Sequence, residues 1–246
     1  MSTKYIYTFA LIMTVLVALM LAGSKVVLGP IAEVNEDIFN KRQILEAISG
    51  PLEEAGKSVA TLSDQEVLDI FDQQVEQAVV MADGTPMEGM KAIEVDMAQE
   101  RKKAEDERMY PVYEVALDGN KYFIFSVRGS GLWDAIWGNI ALKDDMNTVA
   151  GVSFDHAGET PGLGAEIKDN TKWKGQFAGT KIYDGNKYVS INVRKGGAID
   201  KDHEVDGLSG ATVTADGVTD MLYDGLKAYL PYMKEAGKGS TSMNLK

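Results

Sequence analysis

Between Lys4 and Lys25 the chain runs for twenty residues, Tyr5 to Ser24, without a charge. No other feature restricts the fold as strongly. At about 1.5 Å of rise per residue, such a run makes a helix of roughly 30 Å, the thickness of a bilayer's hydrocarbon core. Nine of the twenty are Leu, Ile, Val or Phe. At about −0.3 to −0.6 kcal/mol each, they favour insertion by roughly 3–5 kcal/mol. Tyr5 and Tyr7 lie at one end, where amphipathic rings favour the interface. A cleaved signal peptide is the alternative, and Ala22-Gly23-Ser24 offers a small-x-small triplet. The run is longer than the roughly 7–15 residues of a usual signal core, and that length favours an anchor over residues 1–28. Charge does not set its orientation. Lys4 and the amino terminus stand against Lys25, Lys41 and Arg42 on the other side.

The rest of the 246 residues make one or two domains of ordinary globular composition. A net charge of −12 disfavours a nucleic-acid partner, because an acidic surface repels phosphate backbones. The absence of cysteine excludes disulfides, thiolate metal sites and a cysteine nucleophile. With only His156 and His203 present, no metal-ligand spacing appears. Neither a dinucleotide-binding glycine fingerprint nor a G-x-S-x-G nucleophile elbow is visible.

Gly29-Pro30 is expected to break the chain after the span. A helix is expected over Asn35–Ala47, ended by Gly50-Pro51. Ser63 and Glu66 have the spacing of a capping box, and the following helix would carry Val67, Phe71, Val75 and Ala78/Val79 on one core face. Asp83–Pro86 reads as a loop, and the mixed-charge stretch 98–109 as a solvated helix or linker. From Val112 the period becomes two. Strands are expected at Val112–Leu117 and Lys121–Val127 about an Asp118-Gly119-Asn120 hairpin, and again at Thr148–Phe154 and Tyr188–Val193. A short helix is expected within Lys168–Phe177, and a longer one over Val213–Leu230 with Pro231 behind it. The fold class is therefore α+β: a membrane helix, a helical neck over 29–109, an antiparallel-sheet domain over 110–231 and a polar, frayed tail over 232–246.

Three glycine-rich stretches carry the candidate chemistry. In Gly129–Gly138, Trp133 and Trp137 are either a wall for a planar ligand or core indoles; large aromatics are usually core, which favours the second reading. In His156–Gly164, Pro161-Gly162 signals a type II turn. The turn amides there are either a small anion-binding nest, with Glu159 and Thr160 beside it, or a plain tight turn. His156 reads as an ordinary hydrogen-bonded histidine. Asp206–Thr214 (DGLSGATVT) lies just before a helix, whose free amides and positive dipole end suit a phosphate; capping by Thr212 or Thr214 is the simpler use.

Asp206-Gly-Leu-Ser209-Gly210-Ala211-Thr212 resembles the D-x-x-[ST]-G-A-[TS] flavinylation motif of a flavin-carrying family. With the N-terminal span, Asn40-Lys41-Arg42-Gln43-Ile44-Leu45, Tyr110-Pro111-Val112-Tyr113, Gly131-Leu132-Trp133 and Glu159-Thr160-Pro161-Gly162-Leu163-Gly164, nearly the whole chain resembles the C subunit of sodium-translocating NADH:quinone oxidoreductases. The G subunit of the Rnf-type electron-transport complexes is related through the anchor, the turn and the motif. Residues 50–109 carry little of the resemblance. It implies FMN joined through its phosphate to Thr212 by a flavin transferase that uses FAD. It also implies other subunits as partners, and one-electron steps from NADH toward ubiquinone or menaquinone. The domain would lie on the periplasmic side of the inner membrane, and the subunit would not be catalytic alone. The phosphate is expected near Asp206, Ser209, Gly210 and Ala211. The ring is expected over Glu159, Thr160, Gly162, Leu163 and Gly164, with Trp133 behind. A membrane-anchored binding module without a redox cofactor is the alternative of another class.

Overall fold

The computed structural model describes residues 2–243, with side chains to Ala236. The last three residues of the polar tail lie outside that range. The chain forms two compact units, Met1–Asn40 and Lys41–Lys246.

The first unit is built from helix α1, which runs from Thr3 to Glu46 and continues into the second. Its apolar part has a mean hydropathy of 2.3 and is long enough to cross a membrane. Thr14, a polar residue in mid-span, donates its hydroxyl to the Ala10 carbonyl at 2.8 Å, so this donor is satisfied within the helix. The expected break at Gly29-Pro30 does not occur, and Pro30 lies inside α1. Besides lacking an N–H, proline disfavours helix through its clash with the Cβ and N–H of the residue before it. Gly29 has no Cβ, and nothing lies within 4 Å of where one would be. The helix stops at Glu46 instead, and Gly50-Pro51 fall inside the next helix, α2 (Ser49–Glu54).

In the second unit, α3 (Asp64–Gln74) starts at the expected capping box. The Ser63 N–H donates to Glu66 Oε2 at 2.8 Å, and the Glu66 N–H to Ser63 Oγ at 3.3 Å. α3 ends at Gln74. Val75 and Val79, expected on its face, belong to strand β1 (Val75–Met81). A seven-residue ladder to β3 (Met109–Leu117) overrides the helical spacing there. Between them lie β2 (Pro86–Met87) and α4 (Met97–Glu100). α4 is part of the mixed-charge stretch, which is not wholly solvated. Glu100 is buried, and its carboxylate accepts from Lys103 Nζ and the Met109 N–H.

β4 (Asn120–Ser130), β5 (Ala135–Lys143) and β6 (Val149–His156) complete an antiparallel sheet in the order β2-β1-β3-β4-β5-β6. The Asp118-Gly119 hairpin forms as expected, with both φ angles positive, at 49° and 81°. Then come α5 (Glu166–Asp169), α6 (Thr171–Lys174), the β7 (Tyr183–Asp184) and β8 (Lys187–Tyr188) hairpin, and β9 (Asn192–Arg194) with its parallel neighbour β10 (Glu204–Asp206). Tyr188–Val193 is therefore not one strand. Ser190, at φ 61°, separates two short ones.

α7 (Thr212–Lys227) lies on β4, and α8 (Leu230–Met243) follows. Pro231 is the second residue of α8, where a missing N–H costs nothing, and the tail backbone is helical as far as Met243. Both sheet faces are covered. Val112, Phe125 and Val127 share a core with Val218, Leu222, Leu226 and Tyr229 of the α7 side. On the other face Tyr113 meets Phe71 of α3, and a polar row runs Ser126–Asn139–Ser153 to the Gln43 carbonyl.

Candidate functional site

The site is assembled where β4, the β6–α5 turn and the start of α7 converge. Ala211 precedes α7 without a side-chain cap, although a cap was the simpler expectation for Thr212 or Thr214. Thr212 opens the helix and is half-buried. No N-cap side chain takes its first-turn amides, which lie at the positive end of a 16-residue helix. The Thr214 hydroxyl is turned inward and donates to Glu159 Oε2 at 2.7 Å.

Glu159 ties the parts together. It is 5% exposed. One carboxylate oxygen takes the Trp133 N–H at 3.0 Å and the other the Thr214 hydroxyl. Its own N–H donates to His156 Nδ1 at 3.2 Å, which gives His156 the hydrogen-bonded role expected of it. Two glycines make room: a Cβ on Gly131 or Gly164 would overlap the two carboxylate oxygens. Among the described residues no cation pairs with Glu159. Lys168 and Lys174, on the adjoining helices, pair with Asp155 and Glu46.

The Thr160–Leu163 turn is type II, as expected. Gly162 sits at φ 74° and the Leu163 N–H donates to the Thr160 carbonyl at 3.1 Å. Leu163 reaches the motif, since a Cβ on Gly210 would stand 2.6 Å from Leu163 Cδ2. Thr160, Ser209 and Gly210 are exposed, and Ala211 is buried beneath them. Asp206 is engaged by residues outside the motif. Its Oδ1 accepts the Ala198 N–H, and its carbonyl takes the Trp173 indole N–H. It shapes the loop from which the motif begins.

The core reading of the two indoles is corrected. Trp133 is 70% exposed, and Trp137 is half-buried under the Arg128 guanidinium. The Gly131–Asp134 turn closes with the Gly131 N–H on the Asp134 carbonyl, which leaves Leu132 and Trp133 facing outward. Leu163 and Val213 are exposed too, on segments that Glu159 ties to this turn, and exposed apolar side chains of this kind suit a flat heterocycle. The buried tryptophan is Trp173, packed on Phe154 and Phe177.

Sequence reasoning placed Glu159 beside the turn but missed that Thr214 and Gly131 complete its cradle. Gly131 alone gives a local signal, standing just ahead of Leu132-Trp133. A groove of about 970 Å³ lies at the other end of α7, lined by Met81, Arg101, Tyr110, Asp224 and Lys227 among others. Arg101 and Arg108 there hold backbone carbonyls, so the groove is a seam of the 98–109 stretch.

The cradle fits a flavin mononucleotide: uncapped helix amides for a phosphate, a threonine hydroxyl among them, and exposed apolar side chains for the ring. The family model that matches residues 131–227 is that of the FMN-binding domain. It starts at the Gly131 turn and ends with α7. The chain is 35% identical to the C subunit of the Na(+)-translocating NADH-quinone reductase of Pseudomonas aeruginosa, over 95% of this chain and 97% of that protein. To the same subunit of Neisseria meningitidis serogroup B it is 31% identical, over 92% and 91%. Among solved structures, the corresponding subunit from Parabacteroides distasonis superposes with a TM-score of 0.72 at 32% identity, over 82% of this chain and 95% of that one. NqrC of Shewanella oneidensis superposes at 0.66 and 25%, over 81% and 99%.

These matches define a protein with an FMN-binding domain behind a long apolar helix. The chain belongs to the NqrC family, the C subunits of Na+-translocating NADH-quinone reductases. Of the readings the sequence left open, the relatives select this one over the Rnf-type subunit and over a binding module without flavin.

Proposed function

We propose that this subunit carries FMN as a phosphoester on the Thr212 hydroxyl and relays electrons from NADH toward quinone among the other subunits of its complex. The observation that carries this is the start of α7. A half-buried threonine opens an uncapped helix, and the Leu163–Gly210 contact and the Glu159 clamp frame it on either side. The amides of the first turn stabilise a bound phosphate by about 0.3–1 kcal/mol, more where it is partly buried. Leu163, Val213 and Trp133 shield one side of a planar ring from water. FMN supplies reversible electron transfer when bound, while the chain fixes and tunes it. A covalent link suits a carrier that never exchanges its cofactor.

In the attachment step the Thr212 oxygen bonds the FMN-side phosphorus of FAD and the pyrophosphate bond breaks. AMP leaves with the bridging oxygen, and the threonine proton is released. Residues 131–134, 159–164 and 206–214 present Thr212 to a flavin transferase in an exposed setting. α1 anchors the subunit in the inner membrane, with the flavin domain on the periplasmic side.

Expressed with the transferase, the protein should be yellow and fluoresce in a denaturing gel. The tryptic peptide Asp202–Lys227 should gain the mass of FMN less water. Thr212→Ala should abolish all three signals while the melting temperature holds, and Thr212→Ser should keep part of the label. Covalent flavin persisting in Thr212→Ala would remove the assignment.

A further inference from the structure

The Glu159 carboxylate lies in the protein interior, 5% exposed, with no ion-pair partner among the described residues and one hydrogen bond from the first turn of α7. Burying a carboxylate is costly unless it is paired or fully hydrogen-bonded. Here the chain gives it two hydrogen-bond donors and a pair of glycines shaped to its oxygens. A neutral side chain would close the same turns at lower cost. We propose that Glu159 is a positioning residue whose charge, fixed one hydrogen bond from the α7 first turn, sets how readily the FMN on this subunit accepts electrons.

The inference rests on attachment at Thr212, two residues before Thr214 in that turn. Its physics is simple. Reduction brings negative charge to the ring, and a nearby carboxylate in a low-dielectric setting opposes it. Glu159 therefore biases the bound flavin toward the oxidised form. Being buried, it is screened little by salt.

Redox titration of the flavinylated full-length protein tests this in two variants. In Glu159→Gln the amide oxygen still accepts the Trp133 N–H, and the NH2 donates to the Thr214 oxygen, so the clamp persists without charge. The reduced form should gain about tenfold, ~30 mV for a two-electron couple. Thr214→Val removes a donor and keeps the charge, so its potential should stay or fall. An unmoved potential in Glu159→Gln, or an equal rise in both variants, overturns the assignment. So does a Glu159→Gln protein that melts like wild type yet takes no flavin, which would make Glu159 a transferase contact instead. Where Glu159→Gln does not fold, Thr214→Val decides alone, and a raised potential there overturns it. A wild-type Asp202–Lys227 peptide without flavin sinks the attachment reading itself. Flavin present with the potential unmoved sinks only this one.

Discussion

Gly164 needs no unusual backbone angle; what it needs is space. A Cβ there would overlap the Glu159 carboxylate and stand 2.7 Å from Thr214 Oγ1. Gly164→Ala should therefore destabilise by about 1–3 kcal/mol, the usual cost of forcing atoms into a packed site. Gly175, where nothing lies within 4 Å of the added carbon, should tolerate alanine within about 0.5 kcal/mol. Thermal melts of the two variants check the contrast. The Glu159 clamp was only half legible in the sequence. The Thr160–Leu163 turn is local, and a Pro-Gly pair announces it. The partners of Glu159 lie 26 and 55 residues away, and no spacing rule reaches across that distance. Trp133 failed for a different reason. Aromatics are usually core, and only the closed turn beneath it shows that this one is held outside.

His203 offers a separate residue-scale test. Burial of its ring pulls its pKa down, but the Asp200 carboxylate at 2.9 Å and the Tyr183 carbonyl at 3.2 Å outweigh that and raise it overall. A group raised in the folded state stabilises fully below its unfolded value, near 6.5, and that contribution fades as pH rises through the folded value. The melting temperature of the wild type should therefore fall relative to His203→Asn as pH climbs from about 6 to 8. Parallel pH profiles of the two proteins would contradict the clasp.

At the scale of elements, α7 owes its seat to close approach. Gly217 faces the end of β4, and a Cβ there would overlap the Ser130 carbonyl oxygen. In an exposed helix, glycine to alanine gains about 1 kcal/mol. Here Gly217→Ala should cost about 1–3 kcal/mol, because backbone cannot step aside. It should also reduce labelling of Thr212, one and a half turns up the same helix. Fluorescence per mole of protein measures that. Tyr229, after α7, donates to the Ser126 carbonyl at 2.8 Å between Tyr110 and Phe125. Tyr229→Phe keeps the rings packed and should lose about 0.5–1.5 kcal/mol in denaturant melts. Elements with local signals were readable: the Ser63 box, the Asp118-Gly119 hairpin and the amphipathic α7. Those fixed by distant partners were not. β1 has apolar positions that fit a helix as well as a strand, and its pairing with β3, over seven residues, and with β2 decides between them. β5 was hidden because the glycines and tryptophans around it read as a turn.

The whole molecule joins an apolar helix to a flavin domain whose fastenings begin inside α1. The compact unit starts at Lys41, within the stretch read from sequence as neck. Arg42 donates to the Val59 and Leu62 carbonyls and pairs with Asp64. The Gln43 carbonyl takes the Ser153 hydroxyl at 2.6 Å, and Glu46 pairs with Lys174, whose side chain is 9% exposed. Two truncations should thus behave oppositely. A chain starting at Asn35 loses the apolar run and should leave the membrane fraction, yet melt at the full-length temperature and accept flavin. A chain starting at Ile48 loses Arg42, Gln43 and Glu46 and leaves Lys174 buried without its carboxylate. Breaking a buried pair costs about 3–5 kcal/mol, so melting should fall by roughly 6–20 °C. Because Ser153 lies three residues before His156 on β6, labelling at Thr212 should fall with it. Equal melting of the two truncations would show that the last turns of α1 are only a tether.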